Sequence, residues 1–462
     1  MKRLICCSRI TLVSVSIVLF SVFSHGEVSA KFIWDDFEPS SYWQPAAAPP
    51  SIFQKHSEDL TSLNGMEVSL DVPKIREFLL SDIQAGKSQT ILYFPNAQGE
   101  MIAFVVEEKS NFSPVLAAKF PEITAYIGFA IGDPSLKVHF STAPSGLEAV
   151  ISNDMSGRRT NIKKLRGTQN YRVTSNYTDL HNHDEFSCST EVKASPNSFK
   201  GFLTSAKESS ANGKKSAFSN TNTLSKYRLA VSANGQYTQY HGGTVRGALA
   251  AINATMTNVN AIFERDFGIT LEIIDNNELI IYTDAATDPY SDDTNALNGE
   301  LQSNLNNVIG SENYDHGHIF SAINGGMSGN AGAIGGFCND ESKGSAWSDS
   351  PRPEGYDFTF LVAHEIGHQL GANHTFSMRS EGTGKNVEPG SGTTVMSYAG
   401  ITGANNVAIA SDDYFHHVSI EQSLNYLQGQ SCHADIPNEN SLPVIDQISD
   451  VSVPILTPFI LE

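Results

Sequence analysis

The chain has 462 residues, 50 of them acidic and 30 basic, and a formal net charge of −20 at pH 7. This length allows two or three domains with separate cores, and the acidity argues against nucleic acid as a partner, because like charges repel. The charge is uneven: residues 226–435 carry 24 acidic and 8 basic side chains, whereas residues 31–225 carry 21 and 19. We interpret the negative charge of residues 226–435 as a feature that keeps this region soluble.

Residues 1–30 have the pattern of a secretory signal peptide. A basic start precedes an apolar run over 12–23, and small residues at 28–30 follow at the spacing of a cleavage point. The run is too short for a predicted membrane span, so we expect a secreted, extracellular chain without stable membrane insertion after signal cleavage; an uncleaved anchor is the alternative. The exported part then has an odd number of cysteines, namely Cys188, Cys338 and Cys432.

Residues 31–190 are predicted to form a β-rich domain. The stretch ILYFPNAQGEMIAFVVEE (91–108) contains two β-type runs around a turn signal, and similar short runs follow it. The composition changes at 191–226, which is rich in Ser, Asn, Lys and Gly and is unable to bury a core. We therefore predict an exposed linker with a cleavage region there; an ordered loop is the alternative.

Residues 227–435 mix strands with long helices, which predicts an α/β or α+β domain. Helical patterns cover 244–267, roughly 295–309, FTFLVAHEIGHQLG (358–371) and 419–428. Strand candidates include ITLEIIDNNELIIY (269–282), with strands on both sides of Asn-Asn, and HGHIFSAI (316–323). The Pro- and Val-rich stretch 436–462 resembles a linker and the start of a β-sandwich domain that is then cut off.

The stretch AHEIGHQLGANHTF (363–376) has the spacing of a metal site that does chemistry. His364 and His368 lie one turn apart on one helix face, and Glu365 is placed beside a shared metal, where it can deprotonate water. Gly371 can end the helix in a left-handed conformation, so that the chain returns and brings His374 to the same ion. Three neutral nitrogens leave a fourth zinc position open for water, as in catalytic sites.

HEIGHQLGANH resembles the long zinc-binding signature of the metzincin metalloendopeptidases. The resemblance implies one catalytic Zn²⁺, a long zinc helix and a methionine-containing turn below the metal, which TTVMSYAG (393–400) supplies with Met396. A buried Met396 in an ordinary core is the alternative. The resemblance covers about 227–435 and makes 31–190 a propeptide.

The subfamily is indicated less directly. The chain looks most like the adamalysin-like, or reprolysin-like, branch in a bacterial form, but Thr375 stands where that branch usually has Asp. The Met-Ser-Tyr of the turn is more similar to serralysins and astacins, which implies a catalytic role for Tyr398 near the zinc or the oxyanion; a buried tyrosine that bonds nearby is the alternative. Gly–Asp repeats of the serralysin type are absent, so calcium binding has no sequence support and stays open.

The cysteines follow from the same resemblance. In related proenzymes an unpaired propeptide cysteine ligates the zinc, and Cys188 is the candidate here, as a ligand in the latent form alone. An inert thiol and a pairing with another chain are the alternatives. Cys338 and Cys432 would then form a disulfide inside the protease domain, although sequence does not fix connectivity.

The leading hypothesis is a secreted zinc endopeptidase made as a latent proenzyme. Its partners would be protein or peptide substrates, bound along HGHIFSAI as an edge strand, and the chain would be a monomer. The alternative is an adhesion or binding protein that uses a metalloprotease-like fold as a spacer. Glu365 argues against that alternative, because a protein without catalysis has no need of the base.

Overall fold

The structure is a computed structural model that describes residues 42–46, 65–84, 87–153, 159–175, 187–190, 223–323, 325–381 and 383–437. The predicted signal peptide, the linker residues 191–222 and the predicted β-sandwich start from residue 438 onwards lie outside these ranges. Among the described residues, no helix combines the length and apolar character that a membrane span requires.

Nine antiparallel strands form the N-terminal sheet within the described residues. They are β1 (Trp43–Pro45), β2 (Gly65–Leu70), β3 (Thr90–Pro95), β4 (Met101–Glu108), β5 (Thr124–Ala130), β6 (Asp133–Ala143), β7 (Gly146–Asn153), β8 (Arg159–Lys164) and β9 (Asn170–Ser175). Their order in the sheet is β1-β2-β9-β8-β7-β6-β5-β4-β3. In β7, Leu147, Ala149 and Ile151 are buried and alternate with less buried neighbours, which is the pattern of a sheet with one face on a core. The predicted β-rich character is confirmed for this region.

Two helices interrupt this region, and the sequence analysis did not predict them. Helix α1 (Val72–Gln84) packs Ile75 and Leu79 into the core of the N-terminal sheet. Helix α2 (Pro114–Lys119) starts at Ser113, whose side-chain oxygen accepts a hydrogen bond from Leu116 N, and it has proline at its first position. The region is therefore β-rich but not purely β.

The second sheet mixes parallel and antiparallel pairs. Its strands are β10 (Ser187–Cys188), β11 (Thr223–Ala233), β12 (Ile269–Ile273), β13 (His316–Ser321), β14 (Ser328–Asn330), β15 (Ala346–Asp349) and β16 (Ala434–Pro437). The order is β10-β14-β15-β13-β11-β12, and β16 pairs with β11. Helices α3 (Gly235–Tyr240), α4 (Val245–Phe267), α5 (Leu297–Val308), α6 (Gly355–Gln369) and α7 (His417–Leu427) accompany it. The mixed α/β class is confirmed.

The helix predicted over 244–267 is present as α4, and its ends and its buried face explain why the sequence pattern indicated it. The Thr244 side chain accepts a hydrogen bond from Gly247 N at its start, and Gly268 ends it with φ of 67°. Ile252, Met256, Val259 and Phe263, at helical spacing, are all fully buried. The stretch after it differs from expectation, because β12 is followed by a short 3-10 helix at Asn277–Ile280 rather than by a second strand.

Strand β13 was predicted to be an edge strand that binds substrate, and this prediction was wrong. It lies between β15 and β11, and all six of its residues are buried. The sheet ends on the β15 side with β10, which pairs with β14 in the glycine-rich stretch 325–336. Sequence pattern indicated a strand correctly but carried no information about its neighbours.

One disulfide joins Cys338 to Cys432, with Cα atoms 5.9 Å apart, as the resemblance implied. It ties the loop after β14 to the chain that follows α7. Cys188 is the free cysteine among the described residues.

Candidate active site

Helix α6 carries three of the residues singled out in the sequence. His364, Glu365 and His368 are all fully buried on it. The helix ends before Gly371, which has φ of 100° and donates its N–H to His368 O at 2.8 Å. A left-handed conformation of this kind is easiest for glycine, and the reversal that it permits brings His374 back towards α6.

Each of the three imidazoles is held through its Nδ1 atom. Nδ1 of His364 lies 2.7 Å from Val395 O, and Nδ1 of His368 lies 2.8 Å from Ala372 O. Since a carbonyl oxygen only accepts, both Nδ1 atoms carry the proton, which leaves Nε2 of the neutral ring unprotonated. Nδ1 of His374 lies 2.8 Å from a carboxylate oxygen of Glu381, so this Nδ1 carries a proton as well.

The three Nε2 atoms converge on one point. His374 Nε2 is 3.2 Å from His364 Nε2 and 3.0 Å from His368 Nε2. Burial lowers the pKa of His364 to about 3 and that of His368 well below its usual value, so both rings are neutral. Because neither His364 Nε2 nor His368 Nε2 carries a proton, a cation suits the point where these two atoms and His374 Nε2 converge.

Cys188 completes this group. Its Sγ is 3.6 Å from His368 Nε2, and the ligand atoms of Cys188 and the three histidines all lie within 4.8 Å of one another. Three imidazole nitrogens and one sulfur are a donor set that suits zinc. The residues present therefore fit the metal, while their role as ligands stays a prediction.

Glu365 faces the same space, and its two carboxyl oxygens differ in their hydrogen bonding. Its Oε2 accepts hydrogen bonds from Thr190 Oγ1 at 3.0 Å and from Cys188 Sγ at 3.7 Å. Its Oε1 is buried without a hydrogen-bond partner among the described residues. Burial raises the pKa of this carboxyl to about 8. Gly329 makes room for it, since a Cβ on that residue would meet the carboxylate at 2.4 Å.

Residues 187–190, which we call the strap, lie along the edge of the second sheet. Ser187 and Cys188 pair in parallel with Ser328 and Gly329 of β14. Thr190 Oγ1 also accepts from Ala331 N at 2.8 Å, so this side chain links the β14 edge to Glu365. The strap thus covers the space between β14 and α6.

The segment predicted to form the methionine turn lies against α6. Met396 is fully buried, and its sulfur lies on the Gly367 side of the helix, because a Cβ on Gly367 would meet it at 2.7 Å. Tyr398 Oη is 3.3 Å from His374 Nε2, and burial raises the pKa of this phenol. The hydroxyl is therefore a neutral group within reach of the predicted metal position.

Thr375 has a clear structural role. Its hydroxyl donates a short hydrogen bond to Glu388, and its N–H donates to Met396 O at 3.1 Å. Glu388 is buried and also accepts from Thr394 Oγ1 at 2.5 Å and from Thr393 N at 2.9 Å. The Thr375–Glu388 pair therefore ties the loop after His374 to the turn below α6.

The comparison with protein-family models agrees with this site. Residues 223–427 match the model described as metallo-peptidase family M12B, reprolysin-like. This segment is a reprolysin-like metallopeptidase domain. Among solved structures, metalloproteinase-II from Bacteroides fragilis aligns with 75% of this chain and 94% of its own, at 10% identity and a TM-score of 0.38, a likeness too weak to support a conclusion. No curated protein matches the chain.

The sequence analysis missed four contributors to the site of this metallopeptidase: Thr190, Gly329, Glu381 and Glu388. The two glutamates lie in a polar loop after His374 without periodicity, so sequence offered only the proximity of acidic residues to a histidine. Thr190 follows Cys188 by two residues, and Gly329 lies in the glycine-rich stretch 325–336. The places of these four residues in the site follow from their contacts in the structure and not from a sequence motif.

Proposed function

We propose that this chain is a secreted zinc endopeptidase that is made as a latent precursor. The observation that carries the proposal is the convergence of three Nε2 atoms, each on a ring held by a partner at Nδ1, beside the buried Glu365 side chain, whose Oε1 has no hydrogen-bond partner among the described residues. His364, His368 and His374 would hold the zinc. Structural zinc sites are closed by four protein ligands, whereas the fourth candidate ligand among the described residues, Cys188, precedes the metallopeptidase domain in the chain.

The chemistry is hydrolysis of a peptide bond by water. When bound, zinc supplies Lewis acidity that polarises a carbonyl and lowers the pKa of water towards ~7. Glu365 is then the general base: its free Oε1 takes the proton of the attacking water and passes it to the leaving amine. Tyr398 Oη, which lies 3.3 Å from His374 Nε2, would donate a hydrogen bond to the oxyanion.

Substrate would add to the sheet at β14, in place of the strap. Ala331 N, which now donates to Thr190, is a backbone donor that a substrate carbonyl can use. Gly329 lets that edge approach Glu365 closely, since a Cβ on this residue would meet the carboxylate at 2.4 Å. The expected substrate is therefore an extended stretch of protein, which suits an endopeptidase.

Two substitutions test the catalytic assignment. In a Cys188→Ser background, Glu365→Gln should reduce kcat for a fluorogenic casein-derived peptide by about 10²–10⁴-fold, with one zinc per chain retained. Full zinc occupancy in the Glu365 parent without cleavage of any protein tested would overturn the proposal and favour the binding or adhesion alternative.

Latency is tested separately through Cys188. Because its sulfur lies in the ligand cluster, Cys188→Ser should give a precursor that cleaves the peptide before any processing, while the unchanged chain does not. A Cys188→Ser precursor that stays as latent as its parent would exclude the cysteine as the block.

A further inference from the structure

The N-terminal domain contributes part of the core of the metallopeptidase domain. Phe112, Leu116, Ile123 and Ala143 belong to the same buried cluster as α4 and α6, whereas the other core residues of the N-terminal sheet form a separate cluster. Phe112 is 2% exposed and Leu116 is fully buried. Without the N-terminal domain, the face that receives these side chains would be an apolar surface open to water.

Backbone pairing joins the same two regions. Ile273 N donates to Asn111 O at 2.7 Å, and Ser113 N donates to Ile273 O at 2.9 Å. Phe112 thereby forms a parallel bridge with Ile273 at the β12 edge of the second sheet. This contact satisfies edge groups that are otherwise open to pairing.

A buried amide network makes the contact specific. Asn111 Nδ2 donates to Asn253 Oδ1 at 3.0 Å and to Thr257 Oγ1 at 2.8 Å, and Asn260 Nδ2 donates to Asn111 Oδ1 at 3.0 Å. The last three residues form a polar stripe on α4 at helical spacing. Separation would leave these groups without the partners that they now have, which is costly unless water replaces every bond.

Ion pairs surround the contact, and their signs follow the uneven charge of the sequence. The basic partner belongs to the N-terminal domain in four pairs, and the sign is reversed in one. These pairs are Lys109–Glu264, Lys119–Glu278, Arg159–Asp413 and Lys163–Glu354, with Arg246–Glu122 reversed. Arg159 is 5% exposed at its side chain and Asp413 is 19%, so this pair is poorly screened.

We propose that the N-terminal domain is a docked partner of the metallopeptidase domain, which stays bound as a separate chain after residues 191–222 are cut and keeps the strap in place. A cut there leaves the strap on the N-terminal side, eleven residues (176–186) beyond β9. Because the strap stays in the same chain as the docked sheet, its binding to the site remains intramolecular within the N-terminal fragment. Removing the strap then requires the docked domain to leave or to be degraded.

Docking does not depend on the proposed function, because every contact above lies outside the zinc cluster. The test inserts a recognition site for a sequence-specific protease between residues 200 and 215 of the full chain carrying Glu365→Gln. After cutting, size-exclusion chromatography at 150 mM NaCl should show the two fragments in one peak. Two separate peaks would overturn the proposal.

The strap is followed by thiol chemistry rather than activity. Alkylation of Cys188 by iodoacetamide, measured by mass spectrometry, should proceed in the cut complex within about two-fold of the uncut rate and much faster in the isolated N-terminal fragment, which carries Cys188. Alkylation of the cut complex as fast as that of the isolated fragment would show that the strap leaves on cutting and would overturn the second half of the proposal.

A charge variant tests the interface. Arg159→Glu should raise the dissociation constant of the cut complex about 30-fold or more, since it breaks a poorly exposed pair with Asp413. Lys74→Glu is the matched control: it makes the same charge change at an exposed position of α1 and should leave the constant within about two-fold. Equal effects of both variants would contradict an interface built on these pairs.

Discussion

The two sheets of this protein differ in how their strands are assembled and in what they carry. The N-terminal sheet is antiparallel, and β3 to β9 lie in it in chain order, so neighbours in sequence are neighbours in space. The second sheet joins strands that are distant in sequence, and the histidine cluster and Glu365 lie beside it, on α6 and the chain that follows α6. Cys188 meets His368 across 180 residues. Local pattern is therefore a good guide to the first sheet, while the site depends on long-range contacts.

The comparison also separates stability from chemistry. The N-terminal domain has its own core, but four of its residues complete the core of the metallopeptidase domain, and its strap reaches the histidine cluster through Cys188. It thus acts on the site through docking and through the strap, which are separable by mutation.

The largest expected effect comes from breaking the shared core. Phe112→Ala, in a Glu365→Gln background, should lower the free energy of unfolding by about 3–5 kcal/mol, because a fully packed aromatic ring leaves a cavity. Urea unfolding followed by circular dichroism measures it. Ile131→Ala, at a residue 54% exposed in the same domain, is the control and should cost almost nothing. Equal costs would place Phe112 outside a shared core.

Acid should affect the second sheet through two fully buried histidines of β13, His316 and His318. Burial lowers the pKa of His316 to about 3 and that of His318 well below its usual 6.5. Because the unfolded chain binds these protons first, the stability that the neutral rings contribute is present above about pH 6.5 and is lost as the pH falls towards 3.

His316→Phe removes one of these protons while keeping the stacking on Phe337, whose ring centre is 4.4 Å away. The melting temperature of this variant should fall by several degrees less than that of its parent between pH 7 and pH 4.5. Equal decreases in melting temperature for the variant and its parent over this pH range would show that His316 does not control acid stability.

Sequence reasoning succeeded where the signal was local. The alternation in β7, the helical spacing along α4 and the HExxH spacing on α6 all predict structure from short stretches. It missed α1, whose apolar residues Val72, Ile75 and Leu79 were interpreted as part of a strand-rich region. It also misplaced β13 at an edge, because strand order is a tertiary property that periodicity does not encode.

The candidate site divides in the same way. The positions of His364, Glu365 and His368 follow from one motif, whereas Glu381 and Glu388 act from an irregular loop. Thr375 stands where the branch usually has Asp. Its hydrogen bond to Glu388 explains the structural role of a threonine at that position.

A smaller effect is expected on the affinity for zinc. It should depend on residues of the metallopeptidase domain and not on those of the N-terminal domain. Glu381→Gln weakens the acceptor that holds His374 Nδ1, and it should raise the zinc dissociation constant about 10–100-fold, measured by competition with a chelator. Arg379→Gln, which alters an exposed partner of the same carboxylate, is the control and should change affinity less. An unchanged constant in Glu381→Gln would mean that His374 is oriented by other contacts.

The smallest expected effect concerns the strap and tests whether it does more than present a sulfur. Thr190 Oγ1 donates to Glu365 and accepts from Ala331 N, so Thr190→Val removes two hydrogen bonds without a large change in shape. Net losses of about 1 kcal/mol per bond predict a roughly 5–30-fold faster alkylation of Cys188 by iodoacetamide in the uncut chain. Thr190→Ser keeps the hydroxyl and should stay near the parent rate. If Cys188 is alkylated at the same rate in the Thr190→Val and Thr190→Ser variants, the strap is held by the β14 pairing and Cys188 alone. The Thr190 hydroxyl then has no part in covering Glu365.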